Sequence, residues 1–328
     1  MTAGSGGASF PPHAEESRGL ERPGVWRSAP FLRIRRKGAT PRPVTAVREA
    51  VAELAEQLGV AGVPTPAVDA ELLTRHVLGW SGSELLLRGG EQLPPEASAD
   101  LEALGARRAA REPLQLIVGS VGFRHLDLLV RPGVCIPRPE TEVLAGEAIA
   151  RVPTGGVIVE PCTGTGAVAC AVATEASPRM VVATDCSPVA VTLARENAAR
   201  CGCSGVVDVL PGDLLGPVPA DLRGVVDVLV SNPPYLTPEE FAATEPEVRD
   251  WDPPQALVAG SAGTEIAARL ITAAPQWLRP GGWLLLEVDP ARAAATAALA
   301  DAAGLCDVAV LPDLVGRSRV VAATARHL

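Results

Sequence analysis

Two kinds of hydrophobic spacing divide this chain. From Val44 onward, apolar residues recur every three or four positions: Val47, Val51, Leu54 and Leu58, then Leu72, Leu73, Val77 and Leu78, then Leu101 and Leu104. This is the spacing of short amphipathic helices packed on one another, interrupted at Gly59, Gly62-Val63-Pro64 and Gly79. Residues 114–118 and 126–130, on either side of Gly119-Ser120-Val121-Gly122, read as the two strands of a hairpin. After a helix over residues 143–149 the pattern changes to largely apolar runs at 157–160, 181–184, 206–210, 225–230 and 283–288, separated by helix-length segments. Such runs are strands buried on both faces, which predicts an α/β fold around a parallel sheet. Residues 308–311 and 320–323 are candidates to complete it.

Residues 1–43 follow neither pattern. They are rich in Gly, Ser, Pro and Arg and cannot bury enough apolar surface to offset the entropy of ordering, so a disordered basic tail is expected. Its cluster Arg33, Arg35, Arg36 and Lys37 reads as a solvated charge run, with RNA contact or an over-called translation start as alternatives. The expected organisation is a tail (1–43), a small helical domain (44–112), a β-hairpin linker (113–136) and a larger α/β domain (137–328).

Charge sharpens this division. The chain of 328 residues has a formal net charge of −9. Eight basic side chains against Glu15, Glu16 and Glu21 give the tail +5, which leaves −14 for the remainder. An acidic body is a poor polyphosphate binder, which weighs against a DNA or RNA substrate. No apolar stretch approaches the ~20 residues that span a bilayer, and no signal-like core opens the chain, so a cytoplasmic protein is expected. The seven cysteines are odd in number and scattered, as for free thiols. Cys201 and Cys203 have no second ligand pair, so no metal is expected.

The candidate chemistry lies where strands end. Asn232-Pro233-Pro234-Tyr235 follows the run 225–230, and its prolines stop the strand because neither can donate a ladder hydrogen bond. They also hold the Asn232 amide and the Pro233 carbonyl stiffly, as two acceptors beside an aromatic ring. Such a site suits a flat amino group, whose two N–H bonds the carbonyls accept while Tyr235 packs against its plane. A second stretch, Glu160-Pro161-Cys162-Thr163-Gly164-Thr165-Gly166, joins the first strand to a helix, where glycines let backbone approach a ligand and expose helix amides. Asp185 ends the next strand, where an acid can accept from both ribose hydroxyls, and Asp213 and Leu214 follow the third strand beside an adenine. The glycine loop also matches a nicotinamide dinucleotide fingerprint or a plain structural turn. None of the four histidines, His13, His76, His125 and His327, is a convincing proton donor for a dehydrogenase.

Together these features resemble class I S-adenosylmethionine-dependent methyltransferases that act on a planar nitrogen. From residue 44 to the C-terminus the chain more closely resembles the HemK-type protein-glutamine N5-methyltransferases, in particular those of peptide chain release factors. The resemblance is carried by Arg111-Glu112-Pro113-Leu114-Gln115, Ile136-Pro137-Arg138-Pro139-Glu140-Thr141-Glu142, Asp185-Cys186-Ser187-Pro188, the Asn232–Tyr235 tetrapeptide, Ala256-Leu257 with Gly260, and Asp313-Leu314-Val315-Gly316 with Arg319-Val320-Val321. It implies a Rossmann-like seven-stranded domain behind a helical substrate-recognition domain (44–112) and the hairpin, and methyl transfer to the glutamine of a Gly-Gly-Gln loop in class I release factors. Glu160, Cys162, Thr163, Gly164, Thr165 and Gly166 would hold the methionine end of S-adenosylmethionine, Asp185 the ribose, and Asp213 and Leu214 the adenine edge. Asn232 would also touch the cofactor. Asn232, Pro233, Pro234 and Tyr235 would take the substrate amide, Arg138 and Glu140 would brace the domain junction, and a monomer is expected. Another protein such as a ribosomal protein, a flipped adenine, and a non-catalytic binding module stay as alternatives. The chain departs from the family at Cys162, where a glycine is usual, at Glu160, where an Asp is usual, at Asp250-Trp251-Asp252-Pro253, where an aromatic-Glu-Pro pattern is usual, and at Ser261-Ala262-Gly263, which lacks the usual acid. A positive φ at Cys162 would cost about 1 to 2 kcal/mol.

Overall fold

The structure, a computed structural model, describes residues 45–326. The expected tail with its basic cluster, His13 and His327 lie outside the described residues. The N-terminal helices are α1 (Val47–Val60), α2 (Pro66–Leu78), α3 (Gly82–Arg88), α4 (Pro95–Ala109) and α5 (Leu114–Val118). α1 buries Val47, Ala50, Leu54 and Leu58 on one stripe, and these pack with Ala70 and Leu73 of α2, Leu101 and Leu104 of α4 and Ile117 of α5.

Residues 114–118 form the helix α5, where the apolar run predicts a strand. A five-residue stretch with four apolar positions does not distinguish a buried strand from one helical turn. The flanking residues decide it: Pro113 opens the turn, and Gly119, at φ 84°, closes it by donating its N–H to the Gln115 carbonyl. The hairpin is therefore shorter than expected, β1 (Ser120–Phe123) paired antiparallel with β2 (Leu126–Leu129), and the helical core runs on through Val118.

The larger domain comprises α6 (Thr141–Arg151), β3 (Val157–Pro161), α7 (Ala167–Glu175), β4 (Met180–Asp185), α8 (Pro188–Arg200), β5 (Val207–Pro211), β6 (Val226–Ser231), α9 (Pro238–Ala242), α10 (Pro246–Arg249), α11 (Glu265–Trp277), β7 (Leu278–Glu287), α12 (Ala293–Ala302), β8 (Cys306–Pro312) and β9 (Ser318–Thr324). Among the described residues, seven strands form one sheet in the order β5-β4-β3-β6-β7-β9-β8. It is parallel except for β9, which runs antiparallel to both its neighbours. Alternate residues of each strand serve opposite faces. Ile158, Val181, Val228 and Leu285 meet α6, α7 and α8, while Val157, Val159, Leu229 and Leu286 meet α11 and α12. Covering both faces leaves the carboxyl edge of the parallel strands as the place where loops gather.

The two domains meet through charge as well as apolar contact. Arg108, almost fully buried, donates to Asp69 at 2.6 Å and to Glu247 at 2.8 Å. Arg111 adds two bonds to Glu247, at 2.6 and 2.5 Å. Burial alone would raise the Glu247 carboxyl, but the hydrogen bonds from Arg111 and Arg108 outweigh it and hold the pKa at about 2. Beside this network Leu116, Val130 and Ile136 form a small cluster against Trp251. The bracing expected of Arg138 and Glu140 is found elsewhere: Arg138 binds Asp252, and Glu140 accepts from Arg317 at 2.7 Å, both within the larger domain.

Candidate active site

The crossover from β5 to β6 carries the chain back across the sheet, so β3 and β6 lie side by side while their connections lead to opposite edges. Loops leaving two such adjacent carboxyl ends part and open a crevice. β3 brings Glu160 and the glycine loop to it, and β6 brings Asn232. Ser231, fully buried, donates its hydroxyl to the Pro161 carbonyl at 2.7 Å and pins the two strand ends together.

The glycine loop leaves β3 through Cys162, whose φ is 59°. This left-handed conformation is the one that a glycine adopts without strain. Thr163 then donates its N–H to the Thr184 carbonyl at 3.0 Å, and Gly164 donates its N–H to Asp185 Oδ2 at 2.9 Å. Asp185 Oδ1 accepts the Ser187 N–H at 2.9 Å. Asp185 thus holds the loop to the end of β4, and each of its oxygens retains capacity for another donor. Burial raises its carboxyl above the usual carboxylate range, against the pull of the Ser187 and Gly164 N–H groups. Glu160, 3% exposed, accepts from the Thr163 hydroxyl at 3.0 Å, and burial pushes its carboxyl up to about 8.

One cavity is lined by Glu160, Cys162, Thr163, Gly164, Thr165, Asp185, Asp213, Leu214 and all four residues of the Asn232–Tyr235 tetrapeptide. Of the expected cofactor residues, Gly166 alone does not line it. Its φ is 79°, and an added Cβ would sit 3.1 Å from Ala194 Cβ, so this glycine allows the loop to pack on α8. Gly164 is the opposite case: no atom lies within 4 Å of where its Cβ would be, so bare backbone faces the cavity. Asp213 is exposed at the rim with its carboxylate turned to Arg269. Leu214, at φ 49°, presents its carbonyl to the Thr184 hydroxyl at 2.6 Å.

On the other wall Asn232 donates Nδ2–H to Thr141 Oγ1 at 3.1 Å. Among the described residues nothing donates to Asn232 Oδ1 or to the Pro233 carbonyl. The chain beyond is clamped, since Tyr235 and Leu236 both donate their N–H groups to the Leu257 carbonyl, at 3.0 and 2.8 Å. The Ala256-Leu257 motif therefore fixes the tetrapeptide from outside. Two acceptors without donors among the described residues, held beside a backbone cradle, are able to receive a ligand carrying N–H groups.

Comparison with known proteins places this arrangement. Residues 49–119 match the family model described as the PrmC N-terminal domain, and residues 141–246 match the methyltransferase small domain. The release factor glutamine methyltransferase of Mycolicibacterium smegmatis is 43% identical over 284 residues, covering 86% of this chain and 98% of that one. That of Deinococcus radiodurans is 44% identical over 280 residues, covering 84% and 98%. The chain belongs to the release factor glutamine methyltransferase family. Its cofactor is S-adenosylmethionine, which decides against the nicotinamide alternative. The residues present fit that group. Gly164 offers an open backbone cradle, Asp185 two oxygens with spare acceptor capacity, and Glu160 a buried carboxyl suited to a cationic end.

Two residues that hold the walls of this cavity, Asn197 and Thr141, have no role readable from the sequence. Asn197 is fully buried on α8. It donates to the Thr165 carbonyl at 2.9 Å, accepts from the Leu129 N–H at 2.8 Å and donates to the Leu129 carbonyl at 3.1 Å. It stitches the glycine loop to the hairpin. Thr141 stands behind Asn232 as the acceptor of its Nδ2–H. Motif membership singles out Thr141 in the sequence without giving it a role.

Proposed function

We propose that this protein transfers a methyl group from S-adenosylmethionine to the side-chain amide nitrogen of the glutamine in the Gly-Gly-Gln loop of a class I peptide chain release factor. The observation that carries the reading is the pair of undonated acceptors, Asn232 Oδ1 and the Pro233 carbonyl, lining one cavity with the glycine loop. The names of the relatives at 43% and 44% identity, covered over 98% of their length, support the same substrate.

An amide nitrogen is a poor nucleophile because its lone pair is delocalised into the carbonyl. Asn232 and Pro233 answer this by each accepting one N–H of the substrate amide, which turns the lone pair toward the donor and pushes electron density onto nitrogen as it reacts. Tyr235 packs on the amide plane. Burial raises its hydroxyl far above the usual phenol range, so the ring stays neutral. Bound S-adenosylmethionine supplies an activated methyl group, and the nitrogen loses one proton to water. Positioning and fixed dipoles carry the rate. The helical domain, joined to the segment after the tetrapeptide through Arg108, Arg111 and Glu247, receives the body of the release factor. No helix among the described residues is long and apolar enough to cross a membrane, and we place the protein with its substrate in the cytoplasm, as a monomer.

The test is incubation of the purified protein with methyl-labelled S-adenosylmethionine, a purified class I release factor, a ribosomal-protein fraction and adenine-containing duplex DNA in separate reactions. Label on the release factor, mapped to the loop glutamine and lost when that glutamine is replaced, is the expected result. Label on a ribosomal protein or on DNA in its place overturns the assignment.

A further inference from the structure

The chemistry above leaves one motif residue without a role. Arg138 lines the same cavity as Glu160, the glycine loop and the Asn232–Tyr235 tetrapeptide. Among the described residues it is the one basic side chain of that lining, against the acids Glu160, Asp185 and Asp213. Its backbone is fixed: prolines flank it at 137 and 139, and its carbonyl accepts at 3.0 Å the N–H of Thr141, whose hydroxyl accepts from Asn232. Arg138 Nη2 donates to Asp252, whose side chain is 1% exposed, and Asp252 also accepts the Ile136 N–H at 3.4 Å. A guanidinium has five N–H bonds to give. Among the described residues no other oxygen accepts from this one, and its side chain is 34% exposed.

The amino-acid end of the cofactor poses a matching demand. S-adenosylmethionine carries an ammonium and a carboxylate on one carbon, and taking either out of water without a partner is costly. Glu160 suits the ammonium. The carboxylate has fewer choices, because the glycine loop spends three of its N–H groups inside the fold: Thr163 on the Thr184 carbonyl, Gly164 on Asp185 and Gly166 on the Thr163 carbonyl. The acids of the lining repel an anion as well. We infer that Arg138 receives the carboxylate of S-adenosylmethionine, through a planar fork able to meet two carboxylate oxygens at once. Asp252 is the positioning residue in this arrangement. It holds one nitrogen of the fork and the Ile136 backbone, so the remaining N–H groups stay in the cavity wall.

The experiment titrates the full chain by calorimetry with S-adenosylmethionine and with its decarboxylated analogue, which keeps the sulfonium and the ammonium and lacks the carboxylate. An acidic cavity by itself favours the more cationic analogue, so a preference for S-adenosylmethionine reports a cation in the wall. Wild type should bind S-adenosylmethionine roughly 10- to 100-fold more tightly than the analogue, the range for hydrogen bonds to charged groups. Arg138→Met keeps the length and loses the charge. Its affinity for S-adenosylmethionine should fall by that factor while its affinity for the analogue stays within about twofold, so that the two ligands become nearly equal. Arg138→Lys keeps the charge without the fork and should fall between. Melting temperature is read on each variant, and the wild-type comparison tests the assignment by itself should Arg138→Met fold poorly. Equal affinity of wild type for the two ligands overturns the assignment, and so does an Arg138→Met loss that is the same for both, which returns Arg138 to bracing through Asp252. Unaltered S-adenosylmethionine affinity in Arg138→Met with a raised KM for a class I release factor also overturns it, and gives Arg138 to the protein substrate. The titrations need no protein substrate, so their outcome is separate from that of the function proposed above.

Discussion

Asn232 is the residue on which the proposed chemistry turns, because its carbonyl is asked to accept from an amide whose N–H groups become more acidic as the nitrogen reacts. Asn232→Ala should lower kcat by roughly 10² to 10³, by analogy with loss of one oxyanion-hole donor. Cofactor affinity should be nearly unchanged. Asn232→Asp keeps an acceptor and loses the bond to Thr141, so steady-state kinetics should order turnover as wild type, Asp, Ala. Equal loss in Asp and Ala would refute the acceptor role. Cys162 offers a cleaner stability test. Its left-handed φ of 59° carries the strain that a glycine avoids, so Cys162→Gly should raise stability by about 1 kcal/mol in denaturant titration; an unchanged midpoint would mean that the thiol's contacts compensate. Glu160 is the third case. With its carboxyl held up to about 8, it is mostly protonated at pH 7, and a cationic ligand in the cavity favours its ionised form. Binding of S-adenosylmethionine near pH 7 should therefore release a proton, and affinity should rise with pH until about 8. Calorimetry in buffers of different ionisation enthalpy reads this directly, and Glu160→Gln should abolish the buffer dependence.

At the scale of elements, the junction network makes the helical domain and the segment after the tetrapeptide one mechanical piece. Glu247→Ala removes the shared partner of Arg108 and Arg111, and should cost about 1.5 to 3 kcal/mol, the range for hydrogen bonds to a charged group. Because Glu247 lies away from the cofactor wall, the variant should raise KM for the release factor and leave cofactor affinity alone; a weakened cofactor would place the junction in the wrong functional half. These elements also mark what the sequence makes legible. The sheet strands are readable because burial on both faces writes them as continuous apolar runs, and the tetrapeptide because two prolines end a strand in only one way. Residues 114–118 are not readable, since a five-residue stretch, all apolar but Gln115, bounded by Pro and Gly fits either period. Thr141 and Asn197 are opaque for another reason. Their partners lie 91, 68 and 32 residues away, and nothing local announces a hydrogen bond that only the folded chain creates. Gly166 carries a constraint that its motif position does not announce, since an added Cβ would meet Ala194.

For the molecule as a whole, the buried carboxyls set a pH window. Glu160 and Glu287, with pKa values raised from 4.5 to about 8 and about 7, add stability that is fully present below their unfolded value and is lost progressively as pH rises from there through 7 to 8. Glu247, lowered to about 2, adds stability that is present above its unfolded value and lost as pH falls toward 2. These three groups place the maximum of melting temperature near pH 4.5, with a decline from there to about pH 8. Glu160→Gln should flatten the alkaline limb, and a melting temperature still climbing at pH 8.5 would contradict the assignment of these groups. The Asn197 stitch has a further consequence at this scale. One amide side chain holds the glycine loop through the Thr165 carbonyl and the hairpin through Leu129, so neither can open without breaking a bond to Asn197. Occupancy of the cofactor cavity should then be legible in the hairpin by hydrogen–deuterium exchange: the Leu129 amide should exchange more slowly when the loop is loaded, and Asn197→Leu should break that correspondence. The linker between the domains would in this way register whether a methyl donor is aboard before a release factor arrives.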